Sequence, residues 1–353
     1  MTSYRAPLKD IEFLMRDVFD AEKLFASMPD TEEVTEDLIL AILEEAGKIS
    51  ERLLGPINQS GDEQGCQFND GVVTTPAGFK EAYKAYSEGG WSSLTGDTDF
   101  GGQGMPKMLS SMFEEMAFAA NSSFALYTIL NTGATLTLSQ HGSEELKQTY
   151  LPKMYEGRWT GTMCLTESHA GTDLGMIKSR AVPGEDGSYT ITGTKIFITA
   201  GEHDLSENII HLVLAKLPDA PAGPRGISLF LVPKLAVGND GELNGELNNV
   251  SCGSIEHKMG IRASATCVMN FDQSRGFLVG ELNKGLSHMF TMMNYERLSM
   301  GLQGNGLAES SYQVAAAYAK DRVQGRAPSG ALKPEANADP ILVHPDVRRM
   351  LLT

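Results

Sequence analysis

The chain has 353 residues, of which 41% are apolar and 21% are charged, as in globular proteins with a large core. Its formal net charge of -16 at pH 7 leaves no basic surplus to neutralise phosphates, which disfavours general binding to nucleic acids or anionic membranes. Four scattered cysteines without a Cys-x-x-Cys pair, and no apolar run of about 18 residues, indicate a reduced, cytoplasmic chain without a membrane span.

The first zone, residues 1–158, is predicted to be an α-helical domain. Apolar residues recur at helical spacing from Ile11 to Phe19 and again from Leu38 to Leu53. Thr75-Pro76 has the pattern of an N-cap followed by a proline at the first helical position. The segment from Leu109 to Leu138 is mostly apolar, which predicts one or two central buried helices.

The second zone, residues 159–275, is predicted to be a β domain. Its runs are rich in β-branched residues and are separated by Gly, Pro, Asn and Asp; they read TGTMCLT, SYTITGTKIFITA, NIIHLVLAKL, ISLFLV and ATCVMNFD. No helical segments alternate with them, so an antiparallel β-barrel or sandwich is favoured over a doubly wound parallel sheet. No G-x-G-x-x-G lies between a strand and a helix, and a Rossmann nucleotide site is therefore not expected.

The third zone, residues 276–353, is predicted to be the start of a C-terminal α-helical domain. Helical spacing runs without proline from Lys284 to Gln324, which predicts one long helix. Gly301, Gly304 and Gly306 fall inside it, and close packing or the approach of a ligand would offset their weak helix propensity. The sequence ends in what resembles a helix just begun, so we expect an incomplete helical bundle.

The most chemically suggestive stretch is CLTESHAGTD, residues 164–173, which follows an apolar, strand-like run. Short hydroxyl side chains and free backbone N–H groups at the end of a strand suit a polar ligand. They equally suit an ordinary turn. The seven histidines of the chain are dispersed without metal-ligand spacing, so no metal site is expected.

This decapeptide and several further motifs resemble the acyl-CoA dehydrogenase family over essentially the whole chain. The motifs that carry the resemblance are GSEELKQTYLPKMYEG (142–157), GTKIFITAG (193–201), KMGIRASAT (258–266), LVGELNKGL (278–286) and NYERL (294–298). GGQGMP (101–106) and HPDVRRMLL (344–352) are similar to a subgroup with an enlarged C-terminal region. The resemblance implies a helical domain, a β-barrel and a second helical bundle.

The resemblance also implies a function, namely FAD-dependent α,β-dehydrogenation of an acyl-CoA thioester to the 2-enoyl-CoA. Electrons would pass to an electron-transfer flavoprotein, and the chain would form a homodimer or homotetramer. The residues that the resemblance assigns to the cofactor are Met163, Leu165, Thr166, Gly171, Thr172, Phe197, Ile198, Thr199, Arg322 and Gln324. It assigns Thr172 and Arg297 to the substrate.

Two of these assignments have plainer alternatives. Phe197 would cover one flavin face and Thr199 would lie near N5, because alternation on a strand turns Ile198 the other way. Phe197 would otherwise be an ordinary core residue, and it stands where the family usually has Trp. Arg322 would reach the FAD pyrophosphate of a neighbouring subunit, or would be a solvated charge at a helix end.

The catalytic base is left open by the sequence. The reaction needs a carboxylate beside the substrate α-carbon, in a dry pocket that raises its pKa. Glu296, followed by Arg297, stands where a minority of the family carries this Glu; otherwise Glu296 only pairs with a neighbour and the base lies beyond Thr353. Two other functions remain possible: a flavin-dependent oxidase or monooxygenase on the same scaffold, and a truncated fragment that binds FAD or acyl-CoA without turnover.

Overall fold

The computed structural model describes residues 4–238 and 240–353. Its α-helices are α1 (Leu8–Phe13), α2 (Ala21–Ala26), α3 (Glu36–Ile49), α4 (Asn58–Gln64), α5 (Phe79–Glu88), α6 (Lys107–His141), α7 (Glu144–Tyr155), α8 (Gly285–Asp321) and α9 (Pro345–Leu352). Its strands are β1 (Gln67–Asn69), β2 (Val72–Thr74), β3 (Trp159–Cys164), β4 (Arg180–Pro183), β5 (Tyr189–Thr199), β6 (Asn208–Lys216), β7 (Ile227–Pro233), β8 (Leu235–Val237), β9 (Leu243–Leu247), β10 (Val250–Ile255) and β11 (Thr266–Leu278). The predicted order of helices, strands and helices is confirmed.

The N-terminal helices pack around α6, as the apolar segment from Leu109 to Leu138 predicts. This helix of 35 residues is kinked at Asn121, where φ is -159°. The Asn121 side chain causes the kink by replacing backbone hydrogen bonds: its Nδ2 donates to the carbonyl of Leu54, and its Oδ1 accepts from the N–H of Phe124.

The prediction of a helix start at Thr75-Pro76 is wrong. Helix α5 begins at Phe79, after Gly78 in a left-handed conformation with φ of 87°. The Thr75 hydroxyl instead donates to Asp204 Oδ1 at 2.7 Å, which ties this segment to the β region. A Thr-Pro pattern does not reveal that a distant carboxylate competes for the hydroxyl group.

The middle region is a barrel with two strands added at its margins, and the prediction of a barrel is confirmed. Strand β11 pairs with β5 and β7, β5 pairs with β4, and β6 pairs with both β4 and β7, which closes a ring. Strands β10 and β3 extend the sheet beside β11 and β6. Most pairs are antiparallel as predicted, but β6 pairs in parallel with both β3 and β4.

The C-terminal region is dominated by α8, which spans 37 residues and packs along α6. The first residue of α8 packs directly against the barrel, because a Cβ atom on Gly285 would lie 2.1 Å from the backbone of Ser228 in β7. Gly306 also packs closely, whereas Cβ atoms on Gly301 and Gly304 would meet no atom within 4 Å. None of the helices in the described ranges combines the length and apolar character that crossing a membrane requires.

Candidate functional site

The stretch after β3 forms a tight turn on the barrel rim. Glu167 and Ala170 exchange two backbone hydrogen bonds of 2.9 and 3.0 Å, which fold the chain back at Ser168-His169. Within the described residues, the amide groups of Thr166, Gly171 and Thr172 donate no hydrogen bond to protein, and the hydroxyl groups of both threonines are also unengaged. The turn therefore presents a row of donors to a ligand or to solvent.

Strand β5 lies beside this turn and contains a β-bulge at Phe197. The register with β11 shifts between Lys195 and Ile198, so two residues of β5 face one residue of the partner strand. Phe197 has a left-handed φ of 59°, which is costly for a bulky residue, and its side chain is 58% exposed. Phe197 is therefore not a core residue, and its ring is free to contact a ligand.

The bulge also decides where the neighbours of Phe197 point. The Ile198 side chain is buried in the barrel core, so only its backbone is available to a cofactor. Thr199 is partly exposed and stands opposite Thr266 of β11. Simple strand alternation also predicts that Ile198 points inwards and Thr199 outwards, as observed. The exposure of Phe197, however, results from the extra residue that the bulge adds to β5.

The turn and β5 are joined directly and are anchored to α6. The N–H of Ile196 donates to the carbonyl of Thr166 at 2.8 Å. At the end of β5, Ala200 donates to the carbonyl of Ala265, whose own N–H donates to the hydroxyl oxygen of Tyr127 on α6 at 3.0 Å. The two stretches assigned to the cofactor by resemblance therefore form one continuous surface.

A buried ion pair lies beneath this surface. The Lys195 ammonium group is 2.9 Å from Glu167 Oε1, and the side chains are 0% and 4% exposed. Burial would raise the pKa of Glu167, but the charge of Lys195 and hydrogen bonds from Lys178 and Ser179 lower it to about 2. Glu167 is thus structural, with Lys195 as its partner. A charged residue inside the strand-like run TITGTKIFIT was the available signal for Lys195.

Glu296 lies on the face of α8 that packs against α6. Its side chain is buried, and within the described residues its Oε1 atom has no hydrogen-bond partner. Burial, reinforced by the charge of Glu114 and opposed by that of Lys107, raises the pKa of Glu296 to about 8. The structure gives Glu296 no ion pair with a neighbour among the described residues, contrary to the simplest structural role for this residue.

Two glycines mark the close packing of α8 on α6 and of α6 on strand β3, which leads to the turn. A Cβ atom on Gly133 of α6 would lie 2.9 Å from Glu296 Oε1. One residue later, the Cβ atom of Ala134 would lie 2.2 Å from a Cβ atom on Gly161 of β3. Helix α6 is thus the spacer between Glu296 and β3, and Met163 follows two residues after Gly161.

A polar cluster next to Glu296 was not predicted from the sequence. Glu114 lies 2.5 Å from the Lys107 ammonium group and accepts hydrogen bonds from the hydroxyl groups of Tyr295 and Ser299 at 2.8 and 2.9 Å. Lys107 and Tyr295 also line an open cleft of about 730 Å³ between α6, α8 and residues 92–105. Sequence periodicity can predict which of these residues are exposed and which are buried, but it does not predict that they contact one another.

Arg297 and the pair Arg322 and Gln324 lie outside this arrangement. Arg297 is exposed on α8, where it donates to Asn294 at 3.0 Å and stacks over Phe290. Arg322 ends α8 and donates to Gln324 Oε1 at 3.2 Å. Within the described residues, no hydrogen bond or ion pair links Arg322 or Gln324 to the barrel. A single chain therefore does not bring all the predicted cofactor residues together.

Comparison with known families gives a consistent result. The family model for the acyl-CoA dehydrogenase N-terminal domain matches residues 40–158, and the model for the acyl-CoA dehydrogenase middle domain matches residues 162–274. The chain belongs to the acyl-CoA dehydrogenase family. Its strand-end turn and the bulged β5 both fall within the matched middle domain.

Two relatives cover nearly all of this acyl-CoA dehydrogenase family chain. The 3-methylmercaptopropionyl-CoA dehydrogenase of Ruegeria pomeroyi is 46% identical over 350 residues, which are 99% of this chain and 59% of that protein. A butyryl-CoA dehydrogenase of Syntrophomonas wolfei is 39% identical over 362 residues, or 99% and 58%. The chain thus spans less than two thirds of the length of these relatives.

Solved structures of this family share the fold. The butyryl-CoA dehydrogenase of Megasphaera elsdenii aligns with a TM-score of 0.71 at 23% identity, over 90% of this chain and 74% of that chain. An acyl-CoA dehydrogenase of Bacillus anthracis complexed with FAD aligns with a TM-score of 0.71 at 24% identity, over 91% and 48%. At these identities the likeness concerns the architecture alone.

Proposed function

We propose that this chain binds FAD along the turn after β3 and catalyses α,β-dehydrogenation of an acyl-CoA thioester. The observation that carries the proposal is the continuous surface of the turn and β5. It combines unengaged donors at Thr166, Gly171 and Thr172 with the exposed ring of Phe197. Family membership and the FAD complex of a structural relative support the same cofactor.

The residues present fit a flavin in physical terms. A reduced flavin carries negative charge along one edge of its pyrimidine ring, and backbone N–H groups with a Thr hydroxyl are suitable donors to it. Leu165 and Thr166 would hold that edge, Phe197 would cover one face, and Thr199 would lie near the reactive nitrogen. Met163 and the backbone of Ile198 would complete the wall. When bound, the flavin supplies the hydride acceptor of the reaction.

Glu296 would remove the α-proton of the substrate. Its carboxyl group lies in a dry interface without a neutralising partner, which makes it a stronger base than an exposed carboxylate. Because its pKa is raised to about 8, only a minor fraction is ionised at pH 7, and the rate of proton removal should rise towards pH 8. The alternative, a base outside this chain, makes the opposite prediction for a Glu296 variant.

The substrate is proposed to be a CoA thioester with a short acyl group. This follows the 3-methylmercaptopropionyl and butyryl groups in the names of the two relatives. Arg297, exposed beside Glu296 on α8, and Thr172 are the proposed contacts for the CoA portion. An electron-transfer flavoprotein is the proposed electron acceptor, and assembly as a homodimer or homotetramer would bring Arg322 and Gln324 to a neighbouring flavin.

Anaerobic titration with butyryl-CoA tests this proposal. The FAD-loaded wild-type chain should lose the visible absorbance of its oxidised flavin, and Glu296→Gln should not. Glu281→Gln, an exposed carboxylate just before α8, is the matched control and should behave as the wild type.

Each other outcome has a definite meaning. Bleaching of Glu296→Gln at the wild-type rate would place the base elsewhere. An FAD-loaded wild type that no acyl-CoA bleaches would contradict the dehydrogenase proposal and favour a non-catalytic role. Rapid reoxidation of the reduced flavin by O2 with substrate bound would favour the oxidase alternative.

A further inference from the structure

Three segments of the barrel rim converge on the buried pair of Lys195 and Glu167. The Lys195 ammonium group donates to Glu167 Oε1 at 2.9 Å and to the carbonyl oxygen of Leu165 at 3.1 Å. The Glu167 carboxylate accepts from the N–H groups of Lys178 and Ser179 at 2.7 and 3.0 Å, and from the Ser179 hydroxyl at 2.7 Å. Strand β5, the turn and the start of β4 are therefore held by one pair of charges.

The bond from Lys195 to the Leu165 carbonyl is the important one for a ligand. Leu165 and Thr166 are the first residues of the turn, and the carbonyl of Thr166 is fixed separately by the N–H of Ile196. With both carbonyls anchored below, the peptide planes at the start of the turn have a fixed orientation. The N–H of Thr166 belongs to the same peptide group as the Leu165 carbonyl and is consequently directed away from Lys195, where a flavin edge would lie, whereas the N–H of Glu167 is bonded within the turn.

We propose that Lys195 is a positioning residue that orients the N–H of Thr166 towards the flavin and holds the turn of residues 165–172 in place, through its bonds to the Leu165 carbonyl and the Glu167 carboxylate. The inference rests on the proposed function, because it assumes that FAD binds along this turn. Lys195 has no exposed surface, so its effect on a ligand would be transmitted through the turn that it holds.

A purely structural role is the competing explanation, and the chemistry of buried pairs separates the two. Removing only one partner leaves a buried uncompensated charge and destabilises the fold strongly, whereas replacing both partners by neutral groups is often nearly neutral. In Glu167→Gln the amide oxygen can still accept from Ser179, but the NH2 group that replaces the other oxygen cannot accept from the N–H of Lys178. The double variant Lys195→Met/Glu167→Gln therefore loses both the Lys178 bond and the anchor on Leu165, whereas Glu167→Gln alone loses the Lys178 bond and keeps the anchor.

The experiment compares the wild type, Lys195→Met, Glu167→Gln, the double variant and a control in three measurements. These are the thermal midpoint Tm, hydrogen exchange of residues 165–172 in the FAD-free chain, and FAD affinity by flavin fluorescence. The control is Lys153→Met, because Lys153 also donates to a backbone carbonyl, that of Gly241, and pairs with Glu242 at 3.0 Å, away from the turn.

We expect Lys195→Met to lower Tm and the double variant to recover most of it. The double variant should nevertheless show faster exchange in residues 165–172 than Glu167→Gln, and an FAD affinity lower than that of Glu167→Gln by on the order of tenfold, the value of about one oriented hydrogen bond. The Lys153→Met control should keep wild-type exchange and affinity.

A double variant with the same exchange and FAD affinity as Glu167→Gln would overturn the inference. A wild type that binds no FAD would instead refute the proposed function, while the exchange measurement would still decide whether Lys195 orders the turn.

Discussion

A buried carboxyl group without a partner is energetically unfavourable, and Glu296 carries this cost inside the α6–α8 interface. A glutamate side chain is ordinarily ionised at neutral pH, yet the pKa of Glu296 is raised to about 8 by burial and by the charge of Glu114. Stored instability of this kind is common where a group must exchange a proton. For Glu296 it provides a test that does not depend on any cofactor.

The pH dependence of stability follows from this shift. Between the ordinary carboxyl pKa of 4.5 and about 8, the folded chain keeps a proton on Glu296 that the unfolded chain has released. Because the folded state binds more protons in this window, the contribution of Glu296 to stability is most favourable below pH 4.5 and falls as the pH rises towards 8. The full penalty above that pH is at most about 5 kcal/mol.

The variant Glu296→Gln should remove this penalty. Its free energy of unfolding should exceed that of the wild type at pH 9, and the difference should shrink markedly at pH 5. Urea unfolding at the two pH values measures this difference, with Glu281→Gln as an exposed control that should show no such change. An equal effect of Glu296→Gln at both pH values would mean that the carboxyl group is hydrated and ionised in the folded chain.

At the level of single residues, sequence predicts the candidate site only in part. CLTESHAGTD and KIFITAG identify the two stretches that meet, since short polar residues after a strand mark a turn. The bulge that exposes Phe197 and the pairing of Lys195 with Glu167 were not predictable, because they depend on the register between β5 and β11. Glu114 meets Tyr295 for a similar reason: the two lie 181 positions apart, on different helices.

At the level of elements, α6 and α8 depend on small residues where they cross. A Cβ atom on Gly306 would lie 2.7 Å from the carbonyl oxygen of Glu115 and 2.8 Å from the amide nitrogen of Ala119. Both are backbone atoms, which cannot move aside without shifting a helix. A Cβ atom on Gly304, two residues away, would meet nothing within 4 Å.

Alanine at these two glycines should therefore have opposite effects. Gly306→Ala should lower the free energy of unfolding by about 1–3 kcal/mol through overpacking. Gly304→Ala should raise it by up to about 1 kcal/mol, because alanine has the higher helix propensity. Denaturant unfolding of both variants provides the measurement. A loss of stability in Gly304→Ala as large as that in Gly306→Ala would show that the interface extends over both faces of α8.

Helical elements were more predictable than the sheet. The stripe from Leu38 to Leu53 and the proline-free run after Lys284 correspond to α3 and α8, because helix periodicity depends on residues near each other in sequence. Strand β4 and the hairpin of β8 and β9 were missed, since short, partly exposed strands lack an apolar pattern. Their existence depends on partners that are distant along the chain.

At the level of the whole molecule, the predicted cofactor residues fall into two separate groups. One group surrounds the turn and β5 on the barrel rim. The other, Arg322 and Gln324, lies at the end of α8, where Gln324 is bonded to Asp339 and His344 rather than to the barrel. Under the proposed function, a second copy of the chain would bring the end of its α8 to the flavin, so that assembly and cofactor binding would be linked.

The variant Arg322→Met tests this link against Lys320→Met, which removes the same charge one helical position before the end of α8. Arg322 is exposed and its side chain bonds only Gln324 within the described residues, so neither variant should change Tm of the FAD-free chain. Arg322→Met should lower FAD affinity by roughly tenfold or more, as expected for a charge-assisted hydrogen bond to a phosphate.

The wild type should also bind FAD more tightly at protein concentrations that favour the oligomer, because completion of the site by a neighbour couples the two equilibria. Fluorescence titration alongside sedimentation measures both effects, and FAD affinity that is independent of Arg322 and of protein concentration would place the whole cofactor site within one chain.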